Sequence, residues 1–202
     1  MRVPARADDP ARPAVSARGD DPPEPPAVLD EQVTVATAAQ MRDLGERLSG
    51  LLRAGDLVVL SGSLGAGKTT LAQGIGSGLG VRGRVTSPTF VIARVHRSLG
   101  GGPDLVHADA YRLGSRAEVD DLDLDADLAI AVTVVEWGTG LVEDLADSFL
   151  AVTIEAEAGS AEAADAAAGQ RTVRVRGWGE RWQQPAAVAA ARRAVTQSAA
   201  RR

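Results

Sequence analysis

The amino-acid sequence predicts an α/β fold with a mixed sheet of about seven strands flanked by helices. Short apolar or alternating segments that suit strands recur along the chain, and segments of helical periodicity separate them. One apolar strand, 58–60, leads into a glycine-rich loop and then into a helix over 69–79, in which Leu71, Ile75 and Leu79 lie four residues apart. A strand, a glycine loop and a helix in this order are the setting that a phosphate-binding motif requires.

The other elements follow in order along the chain. A capping box at 37–40 begins a helix that Gly55 is expected to end, and a second box at 115–118 begins a short acidic helix. Residues 139–147 suit a short helix or a loop. The predicted strands are 32–36, 56–60, 89–97, 104–109, 128–135, 148–157 and 171–176.

Composition predicts one domain with additions at both ends. Residues 1–30 are rich in Pro, Ala, Arg and Asp and predict a disordered tail, and 31–177 form the predicted domain. Within that domain, the Ala, Glu, Asp and Gly of 158–170 indicate a low-complexity loop insertion. Residues 178–202 predict an Ala/Arg-rich helix or tail, whose helix begins at Pro185 and is exposed or loosely docked.

Charge and residue types exclude several classes of function. The formal net charge of −5 does not suit a protein that coats nucleic acid or membrane by charge alone. The chain has no cysteine, which excludes disulfides, thiolate metal sites and cysteine nucleophiles. No apolar run is long enough to span a bilayer, and the N-terminus lacks the apolar region of a secretory signal. We therefore expect a cytoplasmic protein that does not engage membranes.

The glycine-rich loop matches G-x-x-x-x-G-K-[ST], the phosphate-binding loop or P-loop. Glycines let consecutive N–H groups form an anion-sized nest, and the following helix adds the positive end of its dipole. The lysine of the motif, the only one in the chain, is expected to reach the β and γ phosphates, and the threonine hydroxyl to ligate Mg²⁺. The predicted nucleotide-binding residues are Gly62, Ser63, Leu64, Gly65, Ala66, Gly67, Lys68, Thr69 and Thr70.

A hydroxyl-rich segment follows the loop helix. Pro88 fixes its own backbone angle and favours an extended Ser87, so that Ser87 and Thr89 lie on a stiff segment. In a nucleotide enzyme, such a segment is where a switch meets the γ-phosphate or Mg²⁺. The residue types alone also suit the polar start of a strand.

Two acids follow predicted strands. Asp109 comes after an apolar segment, where a carboxylate can bind Mg²⁺, orient water or cap the next segment. Glu136 ends a nearly continuous apolar run, which is typical of the acid that meets Mg²⁺ or the attacking water in nucleotide enzymes. Trp137 follows it and suits either the core or one side of a nucleotide. His107 alone suggests a structural histidine.

The motifs GSLGAGKTT, TSPTF, HADAYRL and VVEW, in this order, resemble the TsaE (YjeE) family over residues 33–176. That resemblance implies a small bacterial P-loop ATPase that uses ATP and Mg²⁺. It implies metal ligation by Thr69, Asp109 and Glu136, and catalytic roles for Lys68, Asp109 and Glu136. It also places Ser87 and Thr89 in the switch segment.

The resemblance further implies partners. The family is needed to make threonylcarbamoyladenosine beside the anticodon of tRNA, and it acts with the TsaD and TsaB proteins. We therefore expect slow ATP hydrolysis by the chain alone, faster hydrolysis with TsaD and TsaB, and contact with tRNA only through that complex.

Three rival functions are considered. A GTPase would use an Asn-Lys-x-Asp motif to read guanine, and the chain contains no asparagine. A small-metabolite kinase stays open, because the arginine-bearing stretch 82–97 could act as a basic lid. A nucleotide-binding scaffold without turnover is disfavoured by Asp109 and Glu136, since a binder needs fewer acids near phosphates.

Overall fold

The structure of the chain, a computed structural model, describes residues 27–88, 92–113, 115–120, 128–156 and 169–196. The strands are β1 (Leu29–Val35), β2 (Leu57–Gly62), β3 (Ala93–His96), β4 (Asp104–Asp109), β5 (Ala131–Glu136), β6 (Phe149–Ala156) and β7 (Arg171–Trp178). The helices are α1 (Ala38–Ser49), α2 (Lys68–Gly78), α3 (Arg116–Asp120), α4 (Glu180–Gln183) and α5 (Pro185–Thr196), and Glu143–Leu145 form a 3₁₀ turn.

The described strands form one seven-stranded sheet in the order β1-β7-β6-β2-β5-β4-β3. Strands β4, β5, β2 and β6 run parallel to one another, whereas β3 pairs antiparallel with β4 on one side and β7 and β1 add antiparallel on the other. The prediction of a mixed sheet flanked by helices is therefore confirmed. Because β2, β4 and β5 are parallel, their carboxyl ends lie at one edge of the sheet, where α/β proteins bind ligands.

Helices α1, α2 and α5 cover one face of the sheet. Leu44 and Leu48 of α1 and Leu71 and Ile75 of α2 are buried in one hydrophobic cluster with the inward side chains of the strands. Burying each such side chain stabilises the fold by about 1.5–3 kcal/mol. This packing fixes α2, and with it the loop that precedes α2.

Two glycines let α1 and α2 approach closely. A Cβ atom added to Gly45 would lie 2.4 Å from the carbonyl oxygen of Leu71, and one added to Gly74 would lie 2.1 Å from that of Arg42. Larger side chains at these positions would push the helices apart. The close crossing therefore depends on both glycines.

The second face has a smaller core. Val59 and Val106 of the strands are buried there with Val119 of α3 and Val142, which precedes the 3₁₀ turn. The central strands are thus covered on both faces, and their ends stay accessible. No helix in the described ranges is both long enough and apolar enough to cross a bilayer.

Helix α5 packs more tightly than the sequence indicates. Ala187, Ala191 and Val195 are buried in the main cluster, and the Ala194 carbonyl accepts a hydrogen bond of 2.8 Å from Arg47 Nε of α1. Trp182 of α4 is also buried. The prediction of an exposed or loosely docked C-terminal helix is therefore wrong, because its small alanines pack directly against α1 and the sheet.

Several predicted boundaries also move. Strand β1 begins at Leu29, which is buried, so the last two residues of the predicted 1–30 tail belong to the sheet. Helix α1 ends at Ser49 rather than near Gly55, because residues after it form 3₁₀-type turns. Residues 1–26 of the tail and 158–168 of the predicted insertion lie outside the described residues.

Candidate functional site

The P-loop connects β2 to α2 at the carboxyl edge of the sheet. Gly62, Gly65 and Gly67 have positive φ angles of 142°, 75° and 114°, which favour glycine. A Cβ atom on Gly62 would also lie 2.4 Å from the carbonyl oxygen of Ile154. No side chain of the described residues caps the N-terminus of α2. The first N–H groups of α2 therefore face the loop, as an anion site requires.

Lys68 is buried beneath the loop. Its Nζ donates hydrogen bonds to the carbonyl oxygens of Gly62 at 2.8 Å and Ser63 at 2.9 Å. The same ammonium lies 3.7 Å from the centre of the Trp137 ring. Burial lowers the pKa of Lys68, while the nearby charges of Glu136 and Asp109 act in the opposite direction. The ammonium is therefore held within the site between backbone oxygens, an aromatic face and two acids.

Glu136 and Thr69 are in direct contact. The Thr69 hydroxyl lies 2.8 Å from Glu136 Oε1 and 3.1 Å from Oε2, and it donates to this carboxylate. His107 Nε2 lies 2.9 Å from the same Oε1. Glu136 is nearly fully buried. The acid at the end of β5 is thus coupled to the first turn of α2 and to β4.

Asp109 lies beside Glu136, its partner in the parallel pairing of β4 and β5. Asp109 Oδ1 accepts a hydrogen bond of 2.9 Å from the Tyr111 N–H, which shapes the turn after β4. The carboxylate also lines the cleft with Glu136. Asp109 therefore caps the turn after β4, which is one of the roles considered for it, and it also lines the cleft.

Trp137 has a φ of 61°, which is unusual for a residue other than glycine. Its ring contacts Lys68 and lies 5.2 Å from the Tyr111 ring, measured between centroids. Of the two expected places, core or cleft, the structure puts Trp137 in the wall of the cleft. Such backbone outliers cluster at functional sites.

A cleft of about 220 Å³ collects most of the predicted site residues. It is lined by Leu64, Gly65, Gly67, Lys68, Thr69, Thr70, Ser87, Asp109, Glu136 and Trp137. Gly62, Ser63 and Ala66 belong to the loop but do not line this cleft; Gly62 and Ser63 contact Lys68 through their carbonyl groups. Thr89 lies outside the described residues, so its role in a switch stays a prediction.

A second cavity of about 270 Å³ lies on the other side of the loop. It is lined by Thr37, Ala38, Met41, Gly65, Ala66, Gly67, Thr70 and Arg171. Arg171 Nε donates a hydrogen bond of 2.9 Å to the Ala66 carbonyl of the loop. Sequence reasoning missed this cavity and Arg171, because the contact joins residues 105 positions apart. The capping box at Thr37, which the structure contains, is the one local signal near it.

The sheet, the glycine loop between β2 and α2 and the acids at neighbouring strand ends define a P-loop NTPase fold. The model of the family described as "Threonylcarbamoyl adenosine biosynthesis protein TsaE" matches residues 35–165. The chain therefore belongs to the TsaE family, and the resemblance found in its motifs is confirmed.

Individual relatives agree with this assignment. A Streptomyces coelicolor protein named tRNA threonylcarbamoyladenosine biosynthesis protein TsaE is 62% identical over 143 residues, which are 70% of this chain and 93% of that protein. A Mycobacterium tuberculosis protein of the same name is 52% identical over 130 residues, 59% of this chain and 77% of its own. The crystal structure of Bacillus subtilis YdiB matches with a TM-score of 0.57 and 26% identity, covering 76% of this chain and 89% of that one.

Proposed function

We propose that the chain binds ATP with Mg²⁺ and hydrolyses it, as a component required to form threonylcarbamoyladenosine in tRNA. The observation that carries the proposal is the meeting of Lys68, Thr69, Asp109 and Glu136 in one cleft behind a P-loop. A phosphate chain needs donors and positive charge, and a cation that accompanies it needs hard oxygen ligands. This cleft offers both within a single pocket.

The donor chemistry suits Mg²⁺. Thr69, Asp109 and Glu136 supply a hydroxyl and two carboxylates, which are oxygen ligands of the kind Mg²⁺ prefers. No cluster of three or more His, Cys, Asp and Glu side chains in the described residues is arranged to hold a metal by itself. Mg²⁺ commonly keeps several waters and binds through one or two carboxylates and the substrate's phosphates. When bound, it would neutralise charge that develops on the transferred phosphoryl group.

The chain's own residues divide the work of the reaction. Lys68 would bind the β and γ phosphates as a compact charge, exchanging its bonds to loop carbonyls for bonds to phosphate oxygens. The loop N–H groups would hold the same phosphates. Glu136 and Asp109 would position the attacking water and the cation, and Ser87, which also lines the cleft, would contact the γ-phosphate.

The second cavity would take the nucleoside. Thr70, Gly65 and Gly67 line both cavities, so an extended ligand can lie across the loop with its phosphates in one and its base in the other. Arg171 and Met41 would contact the nucleoside, since a planar guanidinium stacks on aromatic faces and a thioether adapts to them. Trp137 would border the phosphates through its contact with Lys68.

Partner proteins complete the proposal. Leu64, which lines the cleft, is 90% exposed, and Tyr111, whose ring lies against Trp137 of the cleft wall, is 52% exposed. Such residues suit burial against another protein. We infer that TsaD and TsaB cover the cleft, accelerate a slow intrinsic hydrolysis and carry the link to tRNA in the cytoplasm.

The test is steady-state phosphate release from ATP, with and without the TsaD–TsaB pair, together with a binding titration in the presence and absence of ATP. We expect faster hydrolysis with both partners and tighter association with ATP, because linkage between binding events is reciprocal. No stimulation and no nucleotide-dependent association would contradict the proposal. Transfer of phosphate to a small metabolite would favour a kinase, and binding without turnover would favour a scaffold.

A further inference from the structure

His107 is a fully buried histidine beneath the acids of the cleft. Side chains alternate along β4, and Leu105 belongs to the cluster that contains Leu71 of α2. His107 and Asp109 therefore lie on the same face of β4, toward α2. Only Asp109 of these two reaches the cleft, so His107 can act on a nucleotide only through another residue.

The contact of His107 is specific. Its Nε2 lies 2.9 Å from Glu136 Oε1, and both side chains are almost completely buried. The contact is assigned as a hydrogen bond from Nε2–H to the ionised form of the carboxylate, which only accepts hydrogen bonds. Oε1 also accepts from the Thr69 hydroxyl at 2.8 Å. One carboxylate oxygen is thus held by two donors from two different elements.

Stability alone does not explain an imidazole at this position. Nδ1 of His107 is buried and has no hydrogen-bond partner among the described residues. A buried polar atom without a partner costs about 1–3 kcal/mol. Leu105 and Val134 beside it are apolar, and an apolar side chain would avoid this cost. The imidazole is therefore better explained by its bond to Glu136.

We propose that His107 is a positioning residue that fixes the orientation of the Glu136 carboxylate during ATP hydrolysis. The inference rests on the proposed function of the cleft. The Thr69 hydroxyl faces the nucleotide and is shared with the cation in that proposal, whereas His107 is removed from the cleft and bonds only to the acid within the described site. His107 therefore holds Oε1 throughout the hydrolysis cycle, so that Oε2 of the same carboxylate keeps a fixed orientation.

The first experiment tests the hydrogen bond without hydrolysis. The chain has only two histidines, His96 and His107, so imidazole ¹⁵N spectra contain two sets of signals. We expect one set to show a proton on Nε2 and to shift in Glu136→Ala, while the other set is unchanged. If neither histidine responds to Glu136→Ala, the inference is overturned, whatever the chain does with ATP.

The second experiment separates positioning from binding. His107→Leu removes the donor, whereas His107→Gln places an amide N–H near the position of Nε2. We expect kcat of His107→Leu to fall about 10- to 100-fold, as for other residues that orient a site ligand, with ATP affinity within about threefold of wild type. His107→Gln should recover kcat to within about fivefold of wild type.

His96 provides the matched control. It is the other buried histidine, on the neighbouring strand, and it does not line the cleft. His96→Leu should leave kcat within about twofold of wild type. If His107→Gln is as impaired as His107→Leu, or if affinity and kcat fall by the same factor, His107 does not position Glu136. Should His107→Leu fail to fold, His107→Asn, whose amide stops short of Glu136, replaces it.

Discussion

The two ends of the parallel strands both hold buried charged side chains, but their charges are satisfied in different ways. At the carboxyl ends, Lys68 bonds to loop carbonyls and Glu136 bonds to the Thr69 hydroxyl and to His107. These partners come from β4, α2 and the P-loop. At the amino ends, Asp56 is nearly as buried as Glu136, yet its partners only connect segments of the fold.

The contacts of Asp56 connect two segments of the chain and have a structural role. Its Oδ2 accepts from the Arg53 N–H at 3.0 Å within the same turn, and its Oδ1 lies 3.4 Å from Arg181 Nε of α4. Arg181 Nη2 also donates to the Leu51 carbonyl at 2.7 Å. A cavity of about 470 Å³ lies beside these residues, so burial and a cavity alone do not distinguish the two ends. What distinguishes the carboxyl ends is the glycine loop and the meeting of charged side chains from neighbouring strand ends.

The largest expected difference between the two ends is in ATP affinity. Lys68→Ala should weaken ATP binding about a hundredfold, because it removes a cation that makes charge-assisted hydrogen bonds with phosphate. Lys68→Arg should also bind poorly, since the guanidinium is larger and planar. Arg53→Ala removes the same charge at the amino ends and should change affinity less than about twofold. Titration calorimetry measures all three, and wild-type affinity in Lys68→Arg would contradict the role of a compact charge.

The second difference concerns turnover. Asp109→Ala and Glu136→Ala should each lower kcat about a hundredfold while changing ATP affinity less than about fivefold, because positioned acids act mainly in the transition state. Asp147, an exposed acid at the cavity of the amino ends, supplies the control. Asp147→Ala should keep wild-type kcat. Equal losses in affinity and kcat for the two cleft variants would make them structural acids.

Local signals predicted the centre of the molecule well. The bounds of β4 match the prediction, and the P-loop lies between β2 and α2 as expected, because glycines, apolar runs and capping boxes act within a few residues. Asp109 and Glu136 each follow a predicted strand, and the two strands prove to be adjacent and parallel, which brings the acids together.

Long-range contacts were not predictable in this way. His107 gains its partner 29 residues away and Arg171 contacts the loop 105 residues away. The docking of α5 was missed for another reason: its buried positions are mostly alanines, which suggest composition bias rather than a core face. Their spacing at Ala187, Ala191 and Ala194 follows a helical stripe, which could have indicated burial.

A smaller effect is expected from Arg171, the first residue of the antiparallel strand β7, which holds the P-loop through the Ala66 carbonyl. Arg171→Gln removes the bond to the Ala66 carbonyl and should weaken ATP binding about fivefold, the worth of about one hydrogen bond. Arg174→Gln on the same strand is the control, because Arg174 pairs with Asp30 on the surface. Equal affinities in the two variants would remove Arg171 from the nucleoside site.

The smallest expected effect is a pH dependence of folding stability that arises from Asp56 at the amino ends. Burial raises the pKa of Asp56, although the Arg53 N–H and the charge of Arg181 oppose the shift. The folded state therefore holds the proton more tightly than the unfolded state does. Ionised Asp56 destabilises the fold above its folded pKa, and this penalty disappears as the pH falls below the unfolded value of 3.8.

Asp56→Asn cannot titrate, so the comparison isolates this one group. As the pH falls from neutral to below 3.8, the free energy of unfolding of the wild type should rise relative to that of Asp56→Asn. Urea unfolding of both chains at several pH values measures the difference. At neutral pH, ATP affinity should be the same in both, since Asp56 lies at the opposite ends of the strands from the cleft. A difference in stability that stays constant with pH would show that burial does not raise the pKa of Asp56. A loss of ATP affinity in Asp56→Asn would show that the amino ends of the strands also contribute to ATP binding.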